Sequence, residues 1–430
     1  MNVSIIGTGY VGLSTGVGFA IKGNNVICMD VDSKKVDEIN SGIAPIYEPG
    51  LEDALKDVLS KGRLRATTDI KEAVHNTEIS FISVGTPSKE DGSIDLKFIK
   101  SVAKDIGKAL KDKEKYHVIV VKSTVVPGTT ENIVLPLIEE HSGKKAGKDF
   151  GIAMNPEFLR EGKALEDFLN PDRIVIGGID KDSCNVVRDL YKNFNAPIMV
   201  TNPRTAEMIK YTNNAFLATK ISFANEIGNI CKQLKIDTYE VFKGVSMDHR
   251  ISPHFFNAGV GFGGSCFPKD VKALVAKAKE VGREAKILKD VIKVNESQRR
   301  IIVEMLENRL GSVKGKRIAV LGLAFKPDSD DIRESPAIDI IGMLKNKHAI
   351  VCAYDPKAME NMKRVHGDIE YAKSAKEALK DSDACLILTD WEEFKKLSKD
   401  DFELMRGKVI IEGRRVLSKE KGIEFEGICW

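Results

Sequence analysis

Asn2-Val3-Ser4-Ile5-Ile6 runs straight into Gly7-Thr8-Gly9-Tyr10-Val11-Gly12, and the reading of this junction decides the fold. A short apolar strand, a turn spaced Gly-x-Gly-x-x-Gly and a helical stretch from Leu13 to Lys22 lead to a second strand, Asn25 to Met29, which ends at Asp30. In such a unit Gly7 permits the tight turn, Gly9 lets the backbone close on a pyrophosphate, and Gly12 lets helix and strand pack. Tyr10 and Val11 stand at the turn, and the helix N-terminus offers phosphates its unpaired N–H groups and positive dipole end. Asp30 is placed to accept the ribose hydroxyls of a dinucleotide, which favours NAD over NADP, with Lys34 and Lys35 close by. A bare glycine turn would account for neither the helix nor the acid.

The alternation continues outward. Apolar runs at Ile79 to Val84, Val118 to Val121 and Gly151 to Met154 are separated by helical stretches such as Leu96 to Leu110, which predicts a parallel, doubly wound α/β sheet. Ligands of such sheets bind beyond the carboxyl ends of the strands. The loops expected there are Gly85-Thr86-Pro87, the run from Lys122 through Thr124 to Thr129, and Asn155-Pro156-Glu157-Phe158-Leu159-Arg160-Glu161-Gly162. Ordinary turn chemistry explains small polar residues in loops. It does not explain two carboxylates and an arginine around a Phe read as exposed, and the third loop is therefore expected to meet a ligand.

From Thr205 to about Leu234 there is no proline and a single glycine, Gly228, so one long helix is expected. Lys210 and Asn214 fall one turn apart on it. The neighbouring Asn213 makes that turn unusually rich in amides for a solvated face, which points to function. The helix is also rich in Ala, Ser, Phe and Ile and is expected to make a subunit contact, with a two-fold dimer as the default.

The stretch Gly259-Val-Gly-Phe-Gly-Gly-Ser-Cys-Phe-Pro-Lys-Asp270 places the thiol of Cys266 on glycine-rich backbone, with Lys269 and Asp270 just after it. A nearby cation favours the thiolate, which is the nucleophile. A core cysteine would need neither Gly263 and Gly264 before it nor those charges after it. The chain then reads as helical to about Asn308, and a second βαβ pattern begins at Lys316: strand Arg317 to Gly322, helix Pro336 to Lys345, strand Ala349 to Tyr354. Strands at Ala384 to Thr389 and Lys408 to Glu412 complete a second α/β domain. Its ligand is expected to be nucleotide-like, with phosphates met by Lys326, Arg333 and Arg414.

Composition sets limits on function. Over 430 residues, 66 Lys and Arg nearly balance 63 Asp and Glu, so neither a nucleic-acid nor a membrane partner is expected. The seven scattered cysteines form no Cys-x-x-Cys pair and predict a reduced, cytoplasmic protein without disulfides or a metal site. The strand at the first residues leaves no room for a signal peptide.

The motifs together resemble the UDP-glucose/GDP-mannose dehydrogenase family over nearly the whole chain. They are Gly7 to Leu13, Val84 to Pro87, Ser123 to Thr129, Asn155 to Phe158, Lys210 with Asn214, Gly263 to Asp270, and Phe325-Lys326 with Arg333-Glu334-Ser335. The resemblance implies two Rossmann-like doubly wound domains joined by a long central helix. Residues 1–200 would bind NAD, 201–300 would form a helical dimerisation region carrying the cysteine loop, and 301–430 would bind a sugar nucleotide.

The implied reaction oxidises the C6 alcohol of a hexose twice, to a carboxylate. By resemblance Lys210 and Asn214 stabilise the oxyanion, a water near Thr124 and Asp270 helps remove the alcohol proton, and Cys266 traps the aldehyde. Either Glu157 or Glu161, with Asp270, assists hydrolysis. Thr86, Thr124, Lys35, Lys269 and Arg333 join the NAD set; Phe158, Leu159, Glu161, Arg250, Phe255, Asn257, Gly263, Phe325, Lys326 and Arg414 join Lys210 and Asn214 around the substrate, Arg250 by reaching across the dimer. Ser265 and the Phe-Pro-Lys-Asp ending resemble the UDP-glucose and GDP-mannose branches more than the N-acetylhexosamine branch, and UDP-glucose is favoured. A two-electron hydroxy-acid dehydrogenase would also use a helical lysine and asparagine, but it has no use for Cys266. A protein that binds NAD without turnover is the remaining reading.

Overall fold

In the computed structural model, which describes residues 1–418 and 422–430, the chain forms two compact units, Met1–Asn213 and Asn214–Trp430. The first is built on β1 (Asn2–Ile6), β2 (Asn25–Met29), β3 (Leu64–Thr67), β4 (Ile79–Ile82), β5 (Val118–Val121), β6 (Gly151–Met154), β7 (Ile174–Gly178) and β8 (Ile198–Thr201). Their order in the sheet is β3-β2-β1-β4-β5-β6-β7-β8. The strands from β1 to β6 are parallel, as expected. β7 pairs antiparallel with β6, Met154 opposite Gly177, and β8 runs parallel to β7, so two strands extend the sheet against its main direction.

The continuous apolar runs follow from burial on both faces. Ile79, Phe81, Val118, Val120 and Ala153 feed one core, whereas Ile82, Ile119, Val121, Ile152 and Met154 feed the other. The helix after β1 spans Tyr10–Ile21, starting earlier than the expected Leu13 because extended Gly9 serves as its N-cap and accepts from Leu13 N at 2.9 Å.

The second unit holds β9 (Arg317–Leu321), β10 (Ile350–Tyr354), β11 (Glu370–Tyr371), β12 (Ala384–Ile387), β13 (Val409–Glu412) and β14 (Glu426–Gly427). They are all parallel in the order β11-β10-β9-β12-β13-β14. This repeats the order of β1 to β6, the arrangement of a dinucleotide fold. Gly322, at φ +95°, plays the part of Gly7 at the first turn; a Cβ there would lie 2.6 Å from Thr389.

A central helix, Pro203–Leu234, runs unbroken for 32 residues from the first unit into the second. Proline at a helix start removes a donor that has no partner in the first turn anyway. The single helical run expected from Cys266 to Asn308 is in fact two helices, Phe267–Glu280 and Lys286–Leu310. Gly282, at φ +70°, separates them and donates to Lys279 O at 3.0 Å. Among the described residues no helix is long and apolar enough to cross a membrane.

Candidate active site

The three glycines of the first turn have different physical reasons. A Cβ on Gly7, at φ +98°, would lie 2.9 Å from Ser83 O, and one on Gly12 would lie 1.9 Å from Gly7 O, so the protein's own packing demands both. A Cβ on Gly9 would meet nothing within 4 Å. The room at Gly9 is thus open in the protein and suits the close approach of a dinucleotide diphosphate to the helix N-terminus. Asp30 is buried at the end of β2, where Oδ2 accepts from Thr8 N (2.9 Å) and Thr8 Oγ1 (2.7 Å), and Oδ1 accepts from Asp32 N (3.1 Å). Burial pushes its carboxyl up, but these bonds and the charge of Lys35 outweigh it and hold the group below its ordinary range. The loops after β4 and β5 are tied together by Thr86 Oγ1, which donates to Thr124 O at 2.9 Å.

Beyond β6 the structure builds a buried charge cluster. Lys210 Nζ, from the central helix, lies 2.8 Å from Glu157 Oε1, and Glu157 Oε2 accepts from Leu159 N at 2.6 Å. Burial alone would raise the Glu157 carboxyl; Lys210, the Leu159 N–H and Lys122 together hold it low. Phe158 corrects the expectation of an exposed ring: it is half-buried, with the Arg173 guanidinium 3.9 Å from its centroid and Lys210 Nζ at 5.5 Å. Arg160 is satisfied locally by Asp167, at 2.9 and 2.6 Å. Leu159 and Glu161 are half-buried. The loop is fastened by Glu48, whose carboxylate accepts from Gly162 N (2.9 Å) and Ala164 N (2.6 Å). Neither Thr8 nor Glu48 could be singled out from sequence, since each acts on a partner distant along the chain.

In the second unit Cys266 is exposed, while the six other free cysteines are buried. It is the N-cap residue of the helix Phe267–Glu280, with Ser265 Oγ 3.6 Å from its sulfur. The positive end of a helix dipole stabilises an anion at that position. Asp270, in the first turn, accepts from Asn214 Nδ2 at 2.7 Å and pairs with Lys269 Nζ at 2.5 Å. The catalytic residues expected from sequence therefore fall into two sets, Thr124, Glu157, Glu161 and Lys210 in the first unit and Asn214, Cys266 and Asp270 in the second.

Packing explains the glycines before the cysteine. A Cβ on Gly264, at φ +83°, would lie 2.6 Å from the Phe325 ring, and one on Gly263 would lie 2.4 Å from Glu334 O. The loop thus presses on the segment after β9, and Gly264 N donates to Arg333 O at 2.8 Å. At the other end Val260 N donates to Gly413 O at 3.0 Å, just past β13, and the Arg414 guanidinium donates to Gly261 O. Buried amides hold the middle: Asn225 Oδ1 accepts from Gly259 N (2.7 Å), Gln298 donates to Gly259 O (2.8 Å), and Asn295 bonds both Phe262 N (2.7 Å) and Phe262 O (3.0 Å). Amides recurring with Val291 and Ile302 on the buried face of Lys286–Leu310 are the signal that would have revealed Asn295 and Gln298.

The expected nucleotide ligands are placed unevenly. Gly263, Phe325 and Arg333 come together at the cysteine loop. Lys326 lies half-buried beside Phe325, and the exposed Arg333 side chain is engaged by Asp331 at 2.6 Å. Arg250 is exposed and pairs with Asp248 at 2.5 Å; Asn257 is exposed, and Phe255 holds φ +70° with its ring 6.1 Å from that of Phe267.

Three models of one family match the chain: the NAD binding domain (residues 1–195), the central domain (204–297) and the UDP binding domain (319–419) of the UDP-glucose/GDP-mannose dehydrogenase family. The chain is 46% identical to the UDP-glucose 6-dehydrogenase AglM of Haloferax volcanii, covering 100% of both. It is 41% identical to the GDP-mannose 6-dehydrogenase of Pseudomonas savastanoi pv. phaseolicola, again over the whole of both. The UDP-glucose dehydrogenase structure from Pyrobaculum islandicum superposes with a TM-score of 0.95 at 45% identity, over 100% of this chain and 98% of that one.

Proposed function

Because the chain belongs to the UDP-glucose/GDP-mannose dehydrogenase family, we propose that it oxidises C6 of UDP-glucose to the carboxylate of UDP-glucuronate, through Cys266. The observation that carries this reading is the exposed thiol at a helix N-terminus, in a loop whose glycines pack against the C-terminal domain's first turn. A two-electron alcohol oxidation has no need of such a thiol. In a four-electron oxidation it adds to the aldehyde and makes a tetrahedral carbon from which hydride can leave.

NAD supplies the hydride acceptor twice. In the first half, the alcohol proton passes through water to Asp270, with Thr124 near that water, while Lys210 and Asn214 donate to the developing oxyanion. Cys266 then bonds to C6 of the aldehyde as a thiohemiacetal. Loss of the second hydride from C6 leaves a thioester, and water attacking that carbon breaks the C–S bond, releases the carboxylate and restores the thiol. Glu157 or Glu161, with Asp270, takes the proton of that water. Overall, alcohol, water and two NAD become carboxylate, two NADH and three protons.

Residues 1–200, 201–300 and 301–430 serve in this reading as the NAD-binding, dimerising and sugar-nucleotide-binding parts. Lys35, Thr86, Lys269 and Arg333 serve NAD; Phe255, Asn257, Phe325, Lys326 and Arg414 serve the nucleotide sugar, with Arg250 donated by a partner copy. A homodimer is supported by Phe216, Phe223 and Ile230, seven residues apart along one stripe of the central helix and 63%, 50% and 53% exposed. Free cysteines throughout are in keeping with a reducing cytoplasm.

The test is the NADH yield from limiting UDP-glucose with excess NAD, run beside GDP-mannose and UDP-N-acetylmannosamine. Two NADH per UDP-glucose is the expected result. Two from one of the other sugars would move the substrate, and one NADH from any would sink the thioester course.

A further inference from the structure

Close to the Glu157–Lys210 pair lies a third buried charge that the mechanism above does not use. Lys122 is the first residue past β5 and Asn155 the first past β6; because Val121 pairs with Met154, the sheet register puts the two side by side. Lys122 Nζ donates to Asn155 Oδ1 at 3.0 Å and to Tyr191 Oη at 3.4 Å. Tyr191 Oη donates to the same Asn155 oxygen at 2.6 Å, and Asn155 Nδ2 donates to Val175 O at 2.8 Å. The rings of Phe81 and Phe168 lie 5.9 and 6.0 Å from the ammonium. Among the described residues the ammonium's hydrogen-bond partners are neutral. Burying a charge without a directly bonded counter-charge is costly, and the ammonium is retained here next to the residues proposed to do chemistry.

We propose that Lys122 is a positioning residue for the oxidation, one that shares the negative charge of Glu157 and so leaves the Lys122–Glu157–Lys210 cluster one net positive charge to offer the oxyanion at C6. The inference rests on the role given above to Lys210. With Lys122 neutral, the Glu157 carboxylate and the Lys210 ammonium cancel, and the site loses long-range attraction for developing negative charge.

The groups acting on Lys122 are Glu157, beyond β6, which favours its charged form, and Lys210, on the central helix, which opposes it. Tyr191, past the helix Lys181–Leu190, faces it as a phenol that burial keeps neutral. Burial is the largest influence and brings Lys122 down to about 8. The cluster is therefore cationic below that pH and neutral above it.

The experiment compares kcat of the full-length wild type, Lys122→Met and Lys122→Arg on the preferred nucleotide sugar, from about pH 6.5 to about pH 9.5. The wild-type to Met ratio should be on the order of tenfold at the acid end and fall towards one as the pH passes about 8. The Arg to Met ratio should stay level, because arginine keeps its charge throughout. A wild-type to Met ratio that does not change with pH would reduce Lys122 to a structural residue and overturn the inference. If Lys122→Met does not fold, Tyr191→Phe takes its place: losing one acceptor should move the wild-type alkaline change to lower pH, and an unmoved profile overturns the inference. A wild type that oxidises no nucleotide sugar would overturn the proposed function itself, and this inference with it.

Discussion

Lys210 and Glu157 form an ion pair of 2.8 Å whose side chains are 4% and 5% exposed, so the lysine proposed to steady the oxyanion is held by a carboxylate from the loop after β6. Removing the carboxylate takes a charge partner away from a buried ammonium. Glu157→Ala is expected to lower the unfolding free energy by ~3–5 kcal/mol, read from urea denaturation. Glu157→Gln, which keeps an acceptor oxygen for Lys210, should lose less. A loss below ~1 kcal/mol for the Ala variant would mean that the pair behaves like an exposed one.

Cys266→Ser should retain the binding of both ligands, because the side chain is exposed and the change replaces only its sulfur by oxygen. Steady-state NADH production should drop on the order of 10³-fold or more, with at most one hydride transferred per bound sugar nucleotide. Rapid-quench analysis that found uronate formed at the wild-type rate would remove Cys266 from the mechanism.

Thr8 reaches Asp30 with both its N–H and its hydroxyl, at 2.9 and 2.7 Å. Thr8→Val deletes the hydroxyl bond inside a buried turn, at a cost of about 1–2 kcal/mol. Titration calorimetry should show NAD binding weakened roughly tenfold and sugar-nucleotide binding unchanged. If NAD affinity did not change, the Thr8–Asp30 clamp would have no part in presenting Asp30 to the ribose.

His117 is buried at the opposite end of the sheet from the site, next to the start of β5, with Nε2 2.7 Å from Ser80 Oγ and Nδ1 3.0 Å from Lys113 Nζ. Burial, and then the charge of Lys113, lower it from 6.5 to about 3. It therefore stays neutral in the folded protein while the unfolded chain binds a proton below 6.5. Its contribution to stability is complete above that pH and is lost as the pH falls towards 3, by up to ~1.4 kcal/mol per pH unit. Urea midpoints of the wild type and His117→Gln, measured from about pH 7 to about pH 4, should converge as the pH falls. Parallel curves would show that His117 gains a proton without cost in the fold.

Both dinucleotide folds, the cysteine loop and the central helix were legible because their signals are local. A glycine turn between a strand and a helix, or a thiol within four residues of a lysine and an aspartate, depends on chain neighbours alone. Two elements misled on the same ground. Periodicity carried one helix through Gly282, where a left-handed residue ends it, and a Phe flanked by charges passed for exposed although Arg173 covers it.

By itself, then, the sequence determined which residues are proposed to carry the chemistry: Gly9 in a glycine turn, Asp30 at a strand end, Cys266 before a helix, and Lys210 and Asn214 a turn apart. Only the tertiary structure decided what holds them. Glu157 is paired with Lys210, Asp30 is gripped by Thr8, the cysteine loop hangs from Asn225, Asn295 and Gln298, and Lys122 stands beside Asn155 through strand register. The physical reason is burial. A polar group removed from water must find a partner wherever the fold brings one, and that partner is set by which strands and helices become neighbours, a choice made by the packing of apolar faces within each unit rather than by any short run of residues.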